Sequence, residues 1–512
     1  MPQGYLPFKY FEEKKSTRMT ALAGLPTYLE LAYVAGMTGS IEKNLQVRNG
    51  TQGWTDTQQI LSLILLNIAG GSCVDDVNAL EGDKGFVEIF QKAQTHNMRR
   101  REREAMEKRW RKKKSRGVPS PSAVFEYLRL FHNPEEEKKR QVANKAFIPA
   151  PNKHLQGLAQ VNGDFINFVQ SRQVHNSATL DTDATLVETN KAESKYCYKG
   201  FKSYQPFNVY WAEHDLILHS EFRDGNVPAG HEQLRVFKEA LAFLPASVKK
   251  VYTRSDTAGY QVELLKYCAE GRNERFGVIG FAVGVDMSKE FKQAAAEVAE
   301  DDWQTLLRKE KGKLKETGQE WAEVCFVPNW IGHSKNSPEY RYIAIRERLR
   351  QLTLPEVEEQ MVFPFPIMKF KDKGNYKISG IVTNRNISSI PGDELIRWYR
   401  ERCGKSEEAH SIMKDDLAGG KLPSGMFGVN AAWWAIMILA FNLNSAMKRL
   451  VLGGNWVNKR MKAIRFALIN LPGRIIKRSR ELVVRLTSGH VSNELLFMIR
   501  SRLLCLSFDP GG

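Results

Sequence analysis

The chain has 512 residues, which is enough for about three domains with a sizeable core. Its net charge of +17 is concentrated in two stretches, 99–116 with net +8 and 448–502 with net +11. Local basic stretches are typical of nucleic-acid binding. The six cysteines form no C-x-x-C pair, and the N-terminus lacks the apolar core of a signal peptide. These features argue against a zinc module and a secreted protein, and predict a cytoplasmic one.

The N-terminal part is predicted to be helical. Residues 1–40 have only a weak hydrophobic pattern and are interpreted as an N-terminal arm. Residues 41–175 are predicted to form a helical DNA-binding or dimerisation region. Thr55 and Gln58 have the spacing of a capping box before an apolar stripe that ends at Gly70-Gly71. The basic segment 99–116 predicts a solvent-facing helix or linker that binds phosphates. Its candidate DNA-binding residues are Arg99, Arg100, Arg101, Arg111, Lys112, Lys113 and Lys114.

Strand patterns begin at about residue 176. The predicted order for 176–285 is three strands, a helix, a strand, a helix and a strand. The segments are 178–187, a hairpin over 207–223, a helix over 230–244, a strand over 248–255, a helix over 261–270 and a strand over 276–285. This is the order of a ribonuclease-H-like fold. The predicted class is therefore α/β, with a ribonuclease-H-like catalytic core.

The segment 286–388 is predicted to be an inserted, partly β domain. It contains Lys/Glu-rich stretches, interpreted as helical, and then strand-like runs at 340–345 and 376–383. Trp303, Trp321 and Trp330 are weighed as a stacking face for an extruded base, with core packing the more expected role for each.

The remaining chain is predicted to be helical. Residues 389–447 should form the last catalytic helix and a buried helix, whose apolar run 431–443 is shorter than the roughly 20 residues that a bilayer requires. Residues 448–512 predict a basic helical C-terminal region. Its candidate DNA-binding residues are Lys459, Arg460, Arg474, Lys477 and Arg478.

Three carboxylates are candidate metal ligands and catalytic groups. Asp183 and Asp256 stand at the polar ends of two predicted strands, and Glu407 lies in a predicted helix. Two strand carboxylates and one helix carboxylate suit a pair of Mg²⁺ ions, or Mn²⁺ in their place, over one phosphodiester. Asp181 lies two residues before Asp183 on the same strand face, so strand alternation does not choose between them.

The helix around Glu407 carries several cations. Arg400, Glu407 and Lys414 are seven residues apart and fall on one helix face. The pattern Tyr399-x2-Arg402-x4-Glu407-x6-Lys414 resembles the tyrosine-arginine-glutamate-lysine signature of bacterial DDE transposases, and the resemblance implies that these cations and the tyrosine contact DNA.

The signature normally has three residues between arginine and glutamate, and this chain has four. Either the helix is irregular near Gly404, or Arg400 takes the arginine's role. The choice of Glu407 over Glu408 rests on the six residues that separate Glu407 from Lys414.

Further segments resemble the insertion-sequence-1380 group of DDE transposases, distantly related to piggyBac-type enzymes. They are GWTDTQQILSLILLNIAGGSCVDDVNALEGD, LDTDAT, FRDGNVPAG, TRSD and NAAWWAIMILAFNLNSAMKRLVL, in this order. The resemblance favours Asp183 as the ligand, because Asp183-x-Thr185 matches the Asp-x-Thr pattern of the family. The resemblance implies a transposase that binds the inverted-repeat ends of its own mobile element and cuts and joins DNA by two-metal-ion chemistry.

The expected partners are double-stranded DNA and a second copy of the chain, without a membrane. The sequence contains no Walker phosphate loop, so no nucleotide cofactor is expected. Two alternatives remain open: a structure-selective nuclease with the same fold, and a non-catalytic DNA-binding protein derived from a transposase.

Overall fold

The computed structural model describes residues 18–48, 53–96, 98–110, 116–310, 312–331, 340–349, 365–372, 374–478 and 481–508. The chain divides into two compact units. The first unit comprises Met1–Glu137, Pro151–Arg172 and Ile412–Gly512, and the second comprises Lys138–Ala150 and Gln173–Ser411. The six regions predicted from sequence divide the chain more finely, and their boundaries stay a prediction.

The helices are α1 Pro26–Val34, α2 Met37–Asn44, α3 Asp56–Ala69, α4 Val77–Gly82, α5 Lys84–Gln94, α6 Arg100–Trp110, α7 Pro121–Arg129, α8 Pro134–Val142, α9 Lys153–Arg172, α10 Gln233–Ala242, α11 Val262–Ala269, α12 Lys289–Glu297, α13 Gly392–Ser411, α14 Phe427–Ala446, α15 Met461–Ile464 and α16 Asn493–Ser507. Short 3₁₀ segments cover Val74–Asp76, Thr257–Gly259, Glu300–Asp302 and Gly454–Trp456. Short π-helical segments cover Ile412–Asp416, Met447–Leu452 and Arg465–Ile469.

The strands are β1 Met19–Thr20, β2 Ser177–Ala184, β3 Val187–Glu188, β4 Lys195–Tyr196, β5 Lys202–Tyr204, β6 Phe207–Trp211, β7 Leu216–Glu221, β8 Lys250–Ser255, β9 Gly280–Gly284, β10 Gln304–Glu310, β11 Lys313–Val324, β12 Arg341–Arg348, β13 Ile367–Lys369, β14 Asn375–Thr383, β15 Gly473–Arg478 and β16 Glu481–Leu486.

The first unit packs around α14. Two buried hydrogen bonds connect it to neighbouring helices: the Tyr28 hydroxyl donates to Asn444 Oδ1 at 2.9 Å, and Asn442 Nδ2 donates to Asn162 Oδ1 at 2.7 Å. With its π-helical extension, α14 forms a 26-residue helix, long and apolar enough to cross a membrane, and its most apolar 18-residue window has a mean hydropathy of 1.3. The prediction that this run is too short was therefore wrong. The expectation of a core helix is confirmed, since 78% of its most apolar window is buried in the protein.

The predicted capping box begins α3. Thr55 accepts a hydrogen bond from the Gln58 amide, and the Gln58 side chain accepts one from the Thr55 amide. Gly70, in the left-handed region with φ +105°, ends the helix. This prediction is confirmed at both ends because capping and termination are local interactions that the sequence encodes directly.

The C-terminal basic region is not wholly helical. Strands β15 and β16 form an antiparallel hairpin that pairs with β1. Arg474, Lys477 and Arg478 therefore lie on a strand, and the prediction of a helix there was wrong. The β-branched pairs Ile475-Ile476 and Val483-Val484 favour strands, and Ile475 fills the covered face.

The second unit is organised by one large sheet. Its main path has the order β10-β11-β12-β14-β9-β8-β2-β6-β7, and β13 pairs with β14 off this path. Strand β2 is parallel to β8, which is parallel to β9, while β6 and β7 are antiparallel to their neighbours. The predicted succession of strands and helices through 176–285 is confirmed, with the small sheet β3-β5-β4 added between β2 and β6.

The segment predicted as an insertion extends the same sheet, because β14 pairs with β9. Its Lys/Glu-rich part was predicted to contain helices, and α12 (Lys289–Glu297) is one, but Gln304–Glu310 and Lys313–Val324 form the hairpin β10–β11. Gly312, with φ +81°, lies in the tight turn, and cross-strand pairs such as Lys315 with Glu310 (3.0 Å) replace helical ones. Helix propensity is a weak preference that tertiary pairing overrides here.

Candidate active site

The two candidate aspartates lie at one edge of the sheet. Asp183 is the penultimate residue of β2, and Asp256 directly follows β8. Because β2 and β8 are parallel, their carboxyl ends meet, and both aspartates line a cleft of about 540 Å³. Asp256 also accepts a hydrogen bond from the Ala258 amide at 3.0 Å, which fixes the turn after β8. The carboxyl ends of these two parallel strands thus place two carboxylates, the oxygen ligands that hard cations prefer, in one cleft.

Asp181 has a different environment. It is fully buried, and Arg254 of β8 binds both of its oxygens, at 2.6 and 2.8 Å. The same guanidinium donates to the Trp398 carbonyl oxygen and to Glu401 on α13. Asp181 therefore takes part in a buried ion pair that connects two strands and a helix, whereas the Asp183 side chain is 21% exposed and faces the cleft.

Three polar side chains surround Asp183. Arg402 Nη1 on α13 lies 3.3 Å from Asp183 Oδ2, and His410 Nδ1 lies 4.0 Å from the same oxygen. Asn208, opposite Asp183 on β6, accepts from Ser220 through Oδ1, so its Nδ2 faces His410 Nε2 at 3.3 Å as a donor. With Asn208 in this orientation, His410 Nε2 is the ring nitrogen that faces Asn208, and Nδ1 is the one nearer Asp183.

His410 was not among the candidate residues predicted from the sequence. Its position three residues after Glu407 on the helix was visible in the sequence, but the facing strand residues were not. The structure places His410 beside Asp183.

Burial raises the pKa of Asp183 to about 6, with Arg402 opposing the rise and the Asp256 carboxylate adding to it.

The raised pKa of Asp183 makes the stability of the fold depend on pH. A carboxyl whose pKa is higher in the folded than in the unfolded state stabilises the fold at low pH, and this contribution is lost as the pH rises through the pKa of the folded state. Relative to Asp183→Asn, the metal-free protein should lose about 2–3 kcal/mol of unfolding free energy between pH 4 and pH 7.5. Urea titrations of both proteins at several pH values measure this difference, and parallel pH curves would contradict it.

The helix carboxylates are less enclosed. Glu407 and Glu408 are both exposed on α13, while Arg402, Ser406, Ala409 and His410 are buried. Within the described residues, no three His, Cys, Asp or Glu side chains come close enough to hold a metal ion. The structure thus brings Asp183 and Asp256 together, but does not join Glu407 to them in a ligand group.

The signature residues on α13 have distinct settings. The helix is regular through Gly404 and changes to π-helix only at Ile412–Asp416, where Lys414 lies in the first unit. Arg402, not Arg400, contacts Asp183. The structure thus shows no irregularity at Gly404, and the role of Arg400 in place of Arg402 stays a prediction.

Tyr399 and Arg400 are half-buried. Burial raises the pKa of Tyr399, and the neighbouring Arg402 opposes that rise. Burial lowers the pKa of Arg400, which lines a second cleft of about 1060 Å³ together with Arg308, Arg385 and Arg397. Glu213, Glu394 and Glu401 line the same cleft, so its charge is mixed.

The basic candidates belong to the first unit. Arg99, Arg100 and Arg101 are exposed at the start of α6, and Lys459, Arg474, Lys477 and Arg478 are exposed as well. Arg460 pairs with Asp416 at 2.9 Å, which reduces its availability to DNA. The candidates Arg111, Lys112, Lys113 and Lys114 lie outside the described residues.

The three tryptophans weighed for base stacking lie among other side chains. Trp303 and Trp321 are buried, at 8% and 6% exposure, and Trp330 packs edge-on against Tyr260 and Tyr340. The aromatic residues that do line the aspartate cleft are Tyr196 and Tyr198, which sequence reasoning missed. Their alternation with lysines in KYCYKGFK was the available signal.

Comparison with known proteins gives a family and a remote structural likeness. The family model described as Transposase DDE domain group 1 matches residues 13–507. No curated protein matches the chain. A solved structure, the piggyBac transposase synaptic complex with hairpin DNA, is similar with a TM-score of 0.41 and 11% identity, over 88% of this chain and 80% of that chain. Since the family model spans nearly the whole sequence, the chain belongs to the DDE transposase family, domain group 1.

Proposed function

We propose that this chain is a cut-and-paste DNA transposase of the insertion-sequence-1380 type. It would bind the inverted-repeat ends of its own mobile element, cleave them and transfer the strands to a target. The observation that carries this proposal is the pair Asp183 and Asp256, which share one cleft at the carboxyl ends of two parallel strands in a DDE transposase family member.

The strand order supports a ribonuclease-H-like core. In that core β2 is central, with the antiparallel β6 and β7 on one side and the parallel β8 and β9 on the other. Helices α10 and α11 follow β7 and β8, as the predicted succession requires. Strands β10 to β14 then extend the β9 edge before α13 begins.

The cleft suits a divalent cation. Asp183 and Asp256 repel each other enough to contribute to the raised pKa of Asp183, and a bound cation would relieve this repulsion. Carboxylate oxygens are the ligands that Mg²⁺ prefers, with Mn²⁺ as the substitute. A pair of such ions supplies Lewis-acid activation of a phosphodiester and of its attacking oxygen. Asp183, Asp256 and Glu407 are the proposed ligands.

The protein's own groups would orient this chemistry. Arg402 donates a hydrogen bond to Asp183 Oδ2 at 3.3 Å, and His410 Nδ1 lies 4.0 Å from the same oxygen, so both groups would help to orient the carboxylate toward the cleft. Arg400 and Lys414 would contact DNA phosphates, and Tyr399 a phosphate or sugar. Each of these groups acts by position and charge and needs no nucleotide cofactor.

The proposed partners are double-stranded DNA and a second copy of this chain. Joining both ends of an element requires two active sites in one complex, which is the reason for expecting a homodimer on DNA. The exposed cations of α6 and of β15 are suitable phosphate contacts. Phosphate contacts position DNA, so the choice of end sequence would need further base contacts.

The test uses the purified protein, Mg²⁺ and a supercoiled plasmid that carries the DNA flanking its gene. The unmodified protein should cut at the element ends, and Glu407→Gln should lower the cleavage rate by at least about 100-fold, because a lost metal ligand affects the transition state directly. Glu408→Gln is the matched control, since the two glutamates are neighbours with similar exposure.

Three outcomes would change the proposal. If Glu408→Gln alone abolishes cleavage, the third ligand moves by one residue. Cleavage without preference for the element ends favours a structure-selective nuclease. Binding without any cleavage, even by the unmodified protein, favours a DNA-binding relic, which would agree with the exposed position of Glu407.

A further inference from the structure

Residues 195–204, with strands β4 and β5 and the turn between them, form what we call the tyrosine hairpin. We propose that the tyrosine hairpin binds unpaired nucleotides of the DNA end by stacking them on Tyr196 and Tyr198, beside the scissile phosphate. This inference rests on the proposed function and names the form of DNA that the cleft accepts.

The two tyrosines are unusually exposed for large aromatic side chains. Tyr196 is 62% exposed and Tyr198 is 79% exposed. Aromatic side chains normally bury most of their surface, and an exposed pair in one short segment is typical of a binding surface. Tyr196 and Tyr198 are two residues apart, with Cys197 between them buried. Both tyrosines and Cys197 line the cleft.

Cations accompany both rings. Lys199 Nζ lies 5.8 Å from the centre of the Tyr198 ring, and Lys202 Nζ lies 5.8 Å from that of Tyr196. Lys195 precedes Tyr196, so the stretch 195–202 carries three positive charges and no negative one. Alternation of aromatic rings with cations is how single-stranded nucleic acids are bound, with bases on the rings and phosphates on the cations.

The tyrosine hairpin adjoins the proposed chemistry. Tyr196 and Tyr198 line the same cleft of about 540 Å³ as Asp183 and Asp256. The lining also includes Asn226 and Pro228 of the loop that follows β7. A DNA strand whose phosphate lies at the aspartates would therefore place its neighbouring nucleotides within reach of these rings.

The base of the tyrosine hairpin is firmly anchored, although its rings are exposed. The Gly225 amide donates to the Ser203 carbonyl oxygen at 2.9 Å, and the Tyr204 ring stacks on Phe222 at 4.9 Å. Arg140 binds both oxygens of Asp224, at 2.6 and 2.8 Å, with all of these groups buried. A rigid base loses little conformational entropy when the rings bind a ligand.

The geometry favours unpaired nucleotides over intact duplex. Inside a duplex each base is stacked on its neighbours, and only base edges are accessible in the grooves. A tyrosine ring gains stacking energy only from a base whose face is free. Stacking also tolerates any base, so the tyrosine hairpin would recognise the opened state of the end and not its sequence.

The experiment compares two DNA probes with the full-length protein. One is a duplex with a short single-stranded tail that contains 2-aminopurine, and the other is the same duplex without the tail. Tyr196→Ala combined with Tyr198→Ala should weaken binding of the tailed probe by about 10-fold or more and abolish the fluorescence quenching, because each stacked base contributes about 1–3 kcal/mol. Binding of the blunt duplex should change less than about twofold.

Two matched variants separate ring stacking from other effects. Replacement of both tyrosines by Phe keeps the rings and should preserve affinity and quenching. Ile387→Ala, at another exposed apolar side chain of the second unit (57% exposed), should leave both probes unaffected. Equal loss for tailed and blunt probes would overturn the inference, as would loss in the Phe variant. A shift from dimer to monomer in light scattering, without loss of tailed-probe affinity, would assign the tyrosines to an interface between two copies.

Failure of this inference is distinguishable from failure of the proposed function. If the unmodified protein cuts element ends and the double Ala variant binds the tailed probe normally, only the binding of unpaired nucleotides by the tyrosine hairpin is contradicted. The unmodified protein could instead cut no element ends but bind the tailed probe through the tyrosines. That result would contradict the transposase proposal and support a single-strand-binding role for the tyrosine hairpin.

Discussion

Asp183→Asn is expected to abolish metal-dependent DNA cleavage while leaving DNA affinity nearly unchanged. The amide is close in shape to the carboxylate but lacks the charge that a hard cation requires, and it keeps an acceptor for Arg402. Loss of a metal-coordinating carboxylate should reduce the cleavage rate by at least about 1,000-fold, on the order of 4 kcal/mol in the transition state. Plasmid cleavage and an electrophoretic binding assay, run on the same preparation, measure both quantities.

The fold should tolerate this substitution. Asp183 is half-buried beside Asp256, so removal of its charge relieves repulsion and should stabilise the metal-free protein at neutral pH. A variant that is inactive but at least as stable as the parent would assign Asp183 to the reaction. A variant that retains cleavage, or that loses it only through unfolding, would contradict that role.

Asp181→Ala is expected to reduce stability strongly. Arg254 is 1% exposed and would keep its positive charge in the interior without the carboxylate that binds it through two hydrogen bonds. Breaking a buried ion pair in this way costs about 3–5 kcal/mol. The measurement is the free energy of unfolding of the second unit in urea.

A double variant provides the control. Asp181→Ala combined with Arg254→Met removes both charges, and replacement of buried pairs by apolar groups is often tolerated. The double variant should therefore recover much of the lost stability. If Asp181→Ala costs less than about 1 kcal/mol, the ion pair contributes little, and α13 is held to the sheet mainly by its apolar contacts around Leu395 and Ile396.

The aspartate pair could be predicted from sequence because strand ends are local features. Asp183 and Asp256 each follow a β-branched run, and a parallel arrangement of the two runs brings them together without any further information. The same applies to α3, where capping side chains and a terminal glycine are encoded within a few residues.

Other features depend on contacts between distant residues. The different environments of Asp181 and Asp183 follow from Arg254, which is 73 positions away from Asp181. The anchoring of the tyrosine hairpin depends on Arg140 and Asp224, which are 84 positions apart. No local pattern contains such pairs. Similarly, the Lys/Glu composition of 304–324 favours a helix by intrinsic propensity, whereas strand pairing decides the outcome.

The pairing of β14 with β9 also has a consequence for solubility. Strand β9 consists of five residues and is almost entirely buried, and without β14 it would become a sheet edge with unsatisfied amide and carbonyl groups. Exposed apolar edges recruit other strands and lead to aggregation. A shortened protein without 286–388 would therefore associate edge to edge, whereas the full-length chain ends its sheet at the charged hairpin β10–β11, whose lysines and glutamates discourage such association.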